Sequence, residues 1–169
     1  KIYKKIISIN PNFAEAHNNL GNIFEERNKT NDAIKSYKMA IAINPNFAEA
    51  HNNLGNTLKN LEWFEDALKS YEKAISIRAN FSEAYYNLGV VFKQLKNHED
   101  AVLAYKKAIT INSDFADAHS NLGSCLTVLG QMDEAINCFK KAIGIKPNHA
   151  EAHNGLGNAF NIVGKVKSG

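Results

Sequence analysis

The stretch Ala50-His51-Asn52-Asn53-Leu54-Gly55-Asn56 decides the fold, because it returns every 34 positions. Ala16-His17-Asn18-Asn19-Leu20-Gly21-Asn22 precedes it, and Ala84-Tyr85-Tyr86-Asn87-Leu88-Gly89, Ala118-His119-Ser120-Asn121-Leu122-Gly123 and Ala152-His153-Asn154-Gly155-Leu156-Gly157 follow. A fixed period of that length predicts stacked units rather than a closed globule. Such a stack offers an extended surface and no natural crevice for catalysis, so the expected role is holding a partner.

Each copy sits inside a helix whose start is written just upstream. Asn12, Asn46, Asn80, Asp114 and Asn148 are followed three residues later by Glu15, Glu49, Glu83, Asp117 and Glu151. That spacing predicts an N-cap with an acidic residue at the third helical position, close to a capping box. Pro11, Pro45 and Pro147 stand before these caps and stop the preceding helix. The linkers are therefore short and neighbouring helices must be antiparallel. On this period the chain reads as one array over 1–169. Whole repeats cover 14–47, 48–81, 82–115 and 116–149, with a second helix alone at 1–13 and a first helix alone at 150–169. Nine helical segments can be read, with no strand-like alternation.

Gly21, Gly55, Gly89, Gly123 and Gly157 fall in mid-helix, where each costs about 1 kcal/mol relative to alanine. Repeated five times, that penalty is comparable with the stability of a small domain. It implies that a side chain there would collide with a neighbouring helix. Ala33, Ala67, Ala101 and Ala135, with Ala40, Ala74, Ala108 and Ala142, predict the same close approach, while Tyr37, Tyr71, Tyr105 and Phe139 fill wider gaps.

Leu-Gly, then an aromatic such as Phe24 or Phe92, then Ala, Tyr or Phe, Ala and Pro at these offsets resembles the tetratricopeptide repeat family over the whole chain. The resemblance implies an all-α, right-handed superhelical solenoid of antiparallel helix pairs, with first helices lining a concave groove. Departures are local. Where the family often has Gly between helices, as at Gly130 and Gly164, this chain has Asn28, Glu62 and Lys96, and Ala79 and Ser113 replace the closing Pro. Those turns are expected to be less regular. At the end the chain finishes Ser168-Gly169 without a further second helix, so Leu156, Phe160 and Val163 are expected to lack cover and to support end-to-end contacts between copies.

The groove also follows from helical geometry. His17, Leu20, Gly21 and Phe24 form one stripe facing the packed layer, and the opposite side centres on Glu15, Asn19, Asn22 and Glu26. Asparagine is a poor helix former, yet Asn19, Asn53, Asn87 and Asn121 recur at the central position, and only Gly155 breaks the series. An amide can pair with a peptide C=O and N–H at once. With helices about 10 Å apart and an extended strand advancing about 3.3 Å per residue, one amide would meet a bound strand every third residue. The candidate peptide-binding residues are these four, with Asn22, Asn56 and Asn158 one turn further on. Glu15, Glu49, Glu83 and Asp117 add attraction for a basic peptide. Replacing Asn53 and Asn87 by alanine is expected to weaken capture and leave stability within about 1 kcal/mol, as for exposed side chains. The amide ladder with its A-H-N-N-L-G-N frame is similar to the repeat domain of O-linked N-acetylglucosamine transferases, which implies the same four asparagines as ligand contacts. The chaperone-tail clamp of the wider family needs basic residues where Asn18, Glu83 and Asn87 stand, and is rejected.

Other features are bland. His17, His51, His119 and His153 lie on separate helices about 10 Å apart, too far for zinc at about 2 Å, so neither a metal nor a cofactor is expected. The lysines Lys38, Lys73, Lys106, Lys107, Lys140 and Lys141 read as a solvated outer face, and a net charge of +3 favours no particular partner. Cys125 and Cys138 belong to no C-x-x-C pair and read as packed residues, which points weakly to a reducing compartment. Trp63, in a turn, is a candidate exposed contact, with Phe64 packed. No apolar run reaches membrane-span length, and the opening Lys1-Ile2-Tyr3-Lys4-Lys5-Ile6-Ile7 resembles the interior of a repeat rather than a signal peptide. The chain is therefore expected to be part of a longer cytoplasmic protein.

Two function classes remain open. One is a protein-interaction scaffold binding an extended peptide, with no catalytic residues of its own. The other is the recognition arm of a larger enzyme such as a glycosyltransferase. Nucleic acid is not expected as a partner: the 34-residue spacing and acidic groove disfavour an RNA-reading repeat.

Overall fold

The structure, a computed structural model, describes residues 2–167, and their side chains except at Lys4 and 165–167. Ten helices are present among the described residues: α1 (Ile2–Ile9), α2 (Ala14–Glu26), α3 (Thr30–Ile43), α4 (Ala48–Asn60), α5 (Phe64–Ile77), α6 (Ser82–Gln94), α7 (His98–Ile111), α8 (Ala116–Val128), α9 (Met132–Ile145) and α10 (Ala150–Lys167). That is the number the repeat division gives, with a second helix at 1–13, two helices in each of four whole repeats and a first helix at 150–169, and one more than the nine segments read from the apolar pattern. The chain divides into two compact units, Lys1–Asn80 and Phe81–Gly169. In the first, α1 meets α2, and α2 to α5 pack in chain order. In the second, α6 to α10 do so, and α8 also touches α10.

Within each helix pair a first helix is pressed against an aromatic ring of its second helix. A β-carbon added to Gly21 would lie 2.4 Å from Cε1 of Tyr37, and the same test at Gly55, Gly89 and Gly123 gives 2.7, 2.8 and 2.8 Å to Tyr71, Tyr105 and Phe139. The glycines are therefore required by the rings, which are at most 2 % exposed. Ala33, Ala67, Ala101 and Ala135 are wholly buried one turn before those rings, and Ala40, Ala74, Ala108 and Ala142 equally so after them. Gly157 differs: nothing lies within 4 Å of its added β-carbon, and the ring at that phase would stand sixteen residues later, outside 1–169. The expected collision does not exist there.

The first helices are buried on more than the one predicted stripe. Asn18 is 6 % exposed and Thr57 1 %, because α2 and α4 touch each other as well as α3, and Asn52 is 7 % exposed. Helix starts also differ from the reading of the sequence. Phe13, Phe47, Phe81 and Phe115 are the N-caps, without side-chain hydrogen bonds, so Asn12, Asn46, Asn80 and Asp114 are not. Instead Asn10, Asn44 and Asn112 accept the backbone N–H two residues on, at 3.2, 3.1 and 3.2 Å, and shape the turn from outside the helix.

The turns inside the pairs are regular despite lacking glycine. Asn28, Glu62 and Lys96 hold φ of 55°, 60° and 61°, and Gly130 holds 76°. In all four the N–H donates to the carbonyl three residues back, and the next N–H reaches five back, as Lys29 N to Phe24 O at 2.8 Å. This is the Schellman closure. The turn at Ser113 matches its proline counterparts as well: Phe115 N bonds Asn112 O, as Phe47 N bonds Asn44 O.

Candidate functional site

In the first unit a cleft of about 430 Å³ opens along α2 and α4, lined by Asn22, Glu25, Glu26, Tyr37, Asn53, Asn56 and Thr57. Three of the predicted residues, Asn22, Asn53 and Asn56, meet there. They are not loose amides. Asn53 Nδ2 donates to Asn18 Oδ1 at 3.0 Å and to Asn22 Oδ1 at 3.2 Å. The Tyr37 hydroxyl donates to the same Asn22 oxygen at 2.8 Å, and Tyr71 repeats this on Asn56 at 2.8 Å. Asn22 and Asn56 thus have their oxygens engaged from within, which leaves Nδ2 donors for a ligand.

The other wall is anionic. Thr57 Oγ1 donates to Glu25 Oε1 at 2.8 Å and orients that carboxylate. Neither Glu25 nor Glu26 forms an ion pair among the described residues. Burial, with the negative charge of both glutamates, pushes the Tyr37 hydroxyl well above its usual range. Glu25 and Thr57 escaped the sequence reading, and Tyr37 was read there only as a packing residue. The phase of Glu25 carries Lys59, Lys93 and Thr127 in later repeats, so no recurrence marked it.

The second unit treats the same phase differently. Asn121 Oδ1 accepts from Lys93 Nζ at 2.7 Å, and its Nδ2 donates to the Tyr86 hydroxyl at 3.2 Å. Tyr86 stacks against Phe115 at 4.7 Å between ring centres and lies 5.8 Å from Tyr105. The buried Tyr105 hydroxyl has no partner among the described residues, because Val90 stands where Asn22 and Asn56 serve the other tyrosines. Asn87 is half-buried, as is Asn19 in the first unit, and Asn158 is exposed.

Of the acidic positions, Glu15 and Glu83 are exposed, and Glu83 accepts from Ser82 Oγ at 2.9 Å. Glu49 is paired with Arg78. Asp117 pairs with Nε2 of His149 at 2.9 Å, and Glu151 lies 3.2 Å from its Nδ1. His149, 4 % exposed, was missed. It stands where the other repeats have Phe13, Phe47, Phe81 and Phe115, and its Nδ1 caps α10 by accepting Ala152 N–H at 3.3 Å. His17, His51, His119 and His153 pin a turn through Nε2 to the carbonyl six residues back, at 2.8–3.0 Å. No group of metal-ligating side chains exists among the described residues, and no described helix is long and apolar enough to cross a membrane. Trp63 is 54 % exposed and Phe160 49 %. Val163 and Leu156 are half-buried, while Ser168 and Gly169 lie outside the described residues.

Among solved structures, MamA is 32% identical, with 88% of this chain and 87% of that one covered and a TM-score of 0.78. YrrB, described as a TPR protein with an unusual peptide-binding site, is 25% identical over 96% and 84% of the two chains, with a TM-score of 0.83. A MamA piece from Desulfovibrio magneticus RS-1, at 22% identity and a TM-score of 0.82 over 92% and 88%, shows likeness of fold. No curated protein sequence matches significantly. The TPR repeat pattern matches residues 21–62 and 63–96, and the tetratricopeptide repeat pattern matches 2–35, 82–115 and 116–149. With its glycine-against-ring helix pairs and these matches, the chain belongs to the tetratricopeptide repeat family.

Proposed function

We propose that this protein is a non-enzymatic interaction scaffold that binds an extended peptide in a concave groove, with Asn19, Asn22, Asn53, Asn56, Asn87, Asn121 and Asn158 contributing amides along repeats 14–47, 48–81, 82–115, 116–149 and 150–169. The observation that carries the reading is the cleft of the first unit, where Nδ2 donors of Asn22 and Asn56 stand beside two carboxylates without a cationic partner. A backbone carbonyl fits the amides, and a Lys or Arg side chain fits Glu25 and Glu26. Glu15, Glu49, Glu83 and Asp117 extend the acidic character. YrrB, similar in fold, is described as having a peptide-binding site, which supports the class of ligand. The test is a peptide array of extended segments with and without a basic residue, read against wild-type protein and Glu26→Gln. Equal binding of basic and acidic peptides would remove the reading.

Two finer readings accompany it. The A-H-N-N-L-G-N stretch favours membership in the recognition arm of a larger enzyme such as an O-linked N-acetylglucosamine transferase, which the coding sequence around residues 1–169 decides. Exposed Phe160 on α10 and Ile2 and Ile9 on α1 favour contacts between copies. Light scattering that finds a monomer at high concentration would count against them.

A further inference from the structure

A cleft of different chemistry lies in the second unit between α7, α8 and α9. It encloses about 320 Å³, has Ile109 and Leu122 as aliphatic walls, and has only cations, Lys106 and Lys141, as charged lining. A neighbouring hollow shares Ile109, His119 and Lys141, so the two run together, and there Asp114 adds one carboxylate to the lining. This is the low end of ligand-pocket volumes, with the usual apolar lining and few converging polar groups.

Three of those polar groups are unspent. Lys106 faces Glu134 at 3.5 Å, whereas Lys141 has no carboxylate within ion-pair distance among the described residues. His119 is 4 % exposed, and its Nε2 lies 2.9 Å from Ser113 O. A carbonyl only accepts, so in the neutral ring Nε2 carries the proton and Nδ1 is an acceptor. That Nδ1 is buried with no partner among the described residues. Cys138, in the cleft, is a half-buried free thiol. Burial pushes the thiol up, and the Lys141 charge pulls it the other way. In the first unit the counterparts of Cys138 and Lys141 are Ser70 and Lys73, and Ser70 is tied to Asp66 O at 2.8 Å.

We propose that this cleft is a second ligand site, selective for the carboxylate of an N-acylated apolar amino acid. The carboxylate sits at Lys141, the apolar side chain against Ile109 and Leu122, and the acyl-amide N–H donates to His119 Nδ1. The same chemistry is offered by a free N-acyl amino acid and by the last residue of a partner chain.

The test uses the 169-residue protein and two readouts, amide shifts of His119, Cys138 and Lys141, and protection of Cys138 from alkylation; Cys125 is fully buried. Probes are N-acetyl-phenylalanine and its carboxamide, and acetyl-Gly-Gly-Phe with free or amidated C-terminus. Acids are expected to bind at least fivefold more tightly than amides, with Lys141→Ala removing the preference and Cys138→Leu, which fills the cleft, removing the shifts. Protection by the single residue assigns the free acid; protection by the tripeptide alone assigns a chain terminus. Equal effects of acid and amide, or no protection at millimolar probe, would overturn the proposal.

Discussion

Phe139 occupies the space that an asparagine side chain would need at residue 155: a β-carbon on Gly155 would lie 2.4 Å from the ring's Cε1. In the first unit the equivalent pair is Tyr37 and Asn53, and there the ring is tied by its hydroxyl to Asn22. Phe139 has no hydroxyl to be tied, and it reaches over α10. The break in the asparagine series thus falls where the Phe139 ring stands against the backbone of α10.

Gly155→Asn is expected to destabilise the protein by about 1–3 kcal/mol through overpacking, measured by urea denaturation. Gly157→Ala, two residues on and with open space around its β-carbon, should stabilise by up to about 1 kcal/mol from helix propensity alone. Two glycines so close in sequence should thus move the midpoint in opposite directions. A loss at both would show that the ring is not the cause.

Val90→Asn should give the orphaned Tyr105 hydroxyl the acceptor that Asn22 and Asn56 give Tyr37 and Tyr71. The expected gain is about 1 kcal/mol, the net worth of a buried hydrogen bond, and Tyr105→Phe should then stop being neutral. An unchanged melting temperature in Val90→Asn would mean that the hydroxyl is already satisfied.

Glu62→Gly and Lys96→Gly should each stabilise by about 0.5–1 kcal/mol, since both residues hold φ near 60°, a region that disfavours a β-carbon. Asn28→Gly should gain less, because asparagine tolerates that conformation. Thermal unfolding of the three variants ranks them directly.

Asn53→Ala is expected to cost about 1–2 kcal/mol, because it strips partners from Asn18 and Asn22 and Asn18 is only 6 % exposed. This corrects the expectation of a near-neutral change drawn from the helical wheel. Glu26, exposed at the cleft mouth, is the cleaner probe of binding. Glu26→Gln should leave stability within about 0.5 kcal/mol and weaken capture of a basic peptide in a titration.

Much of this architecture was legible in the linear chain. The spacing of Leu54-Gly55 from Tyr71 encodes the contact that presses each first helix on its partner, because a β-carbon missing at one phase and a ring present at another are visible without coordinates. Turn conformation was harder to read. Glu62 and Lys96 adopt the glycine geometry since the Schellman bonds and helix packing outweigh a local penalty of about 1 kcal/mol, and no propensity reveals that balance.

The sequence alone determined the all-helical repeat and which residues share a phase, because a 34-residue period and helical geometry fix those before any contact forms. Only tertiary structure decided what equal phases do. Asn53 is bound by Asn18 and Asn22, Asn121 by Lys93 and Tyr86, and an amide at position 155 would meet the Phe139 ring. Hydrogen bonds and ring contacts depend on neighbours many residues away, and those neighbours differ from repeat to repeat.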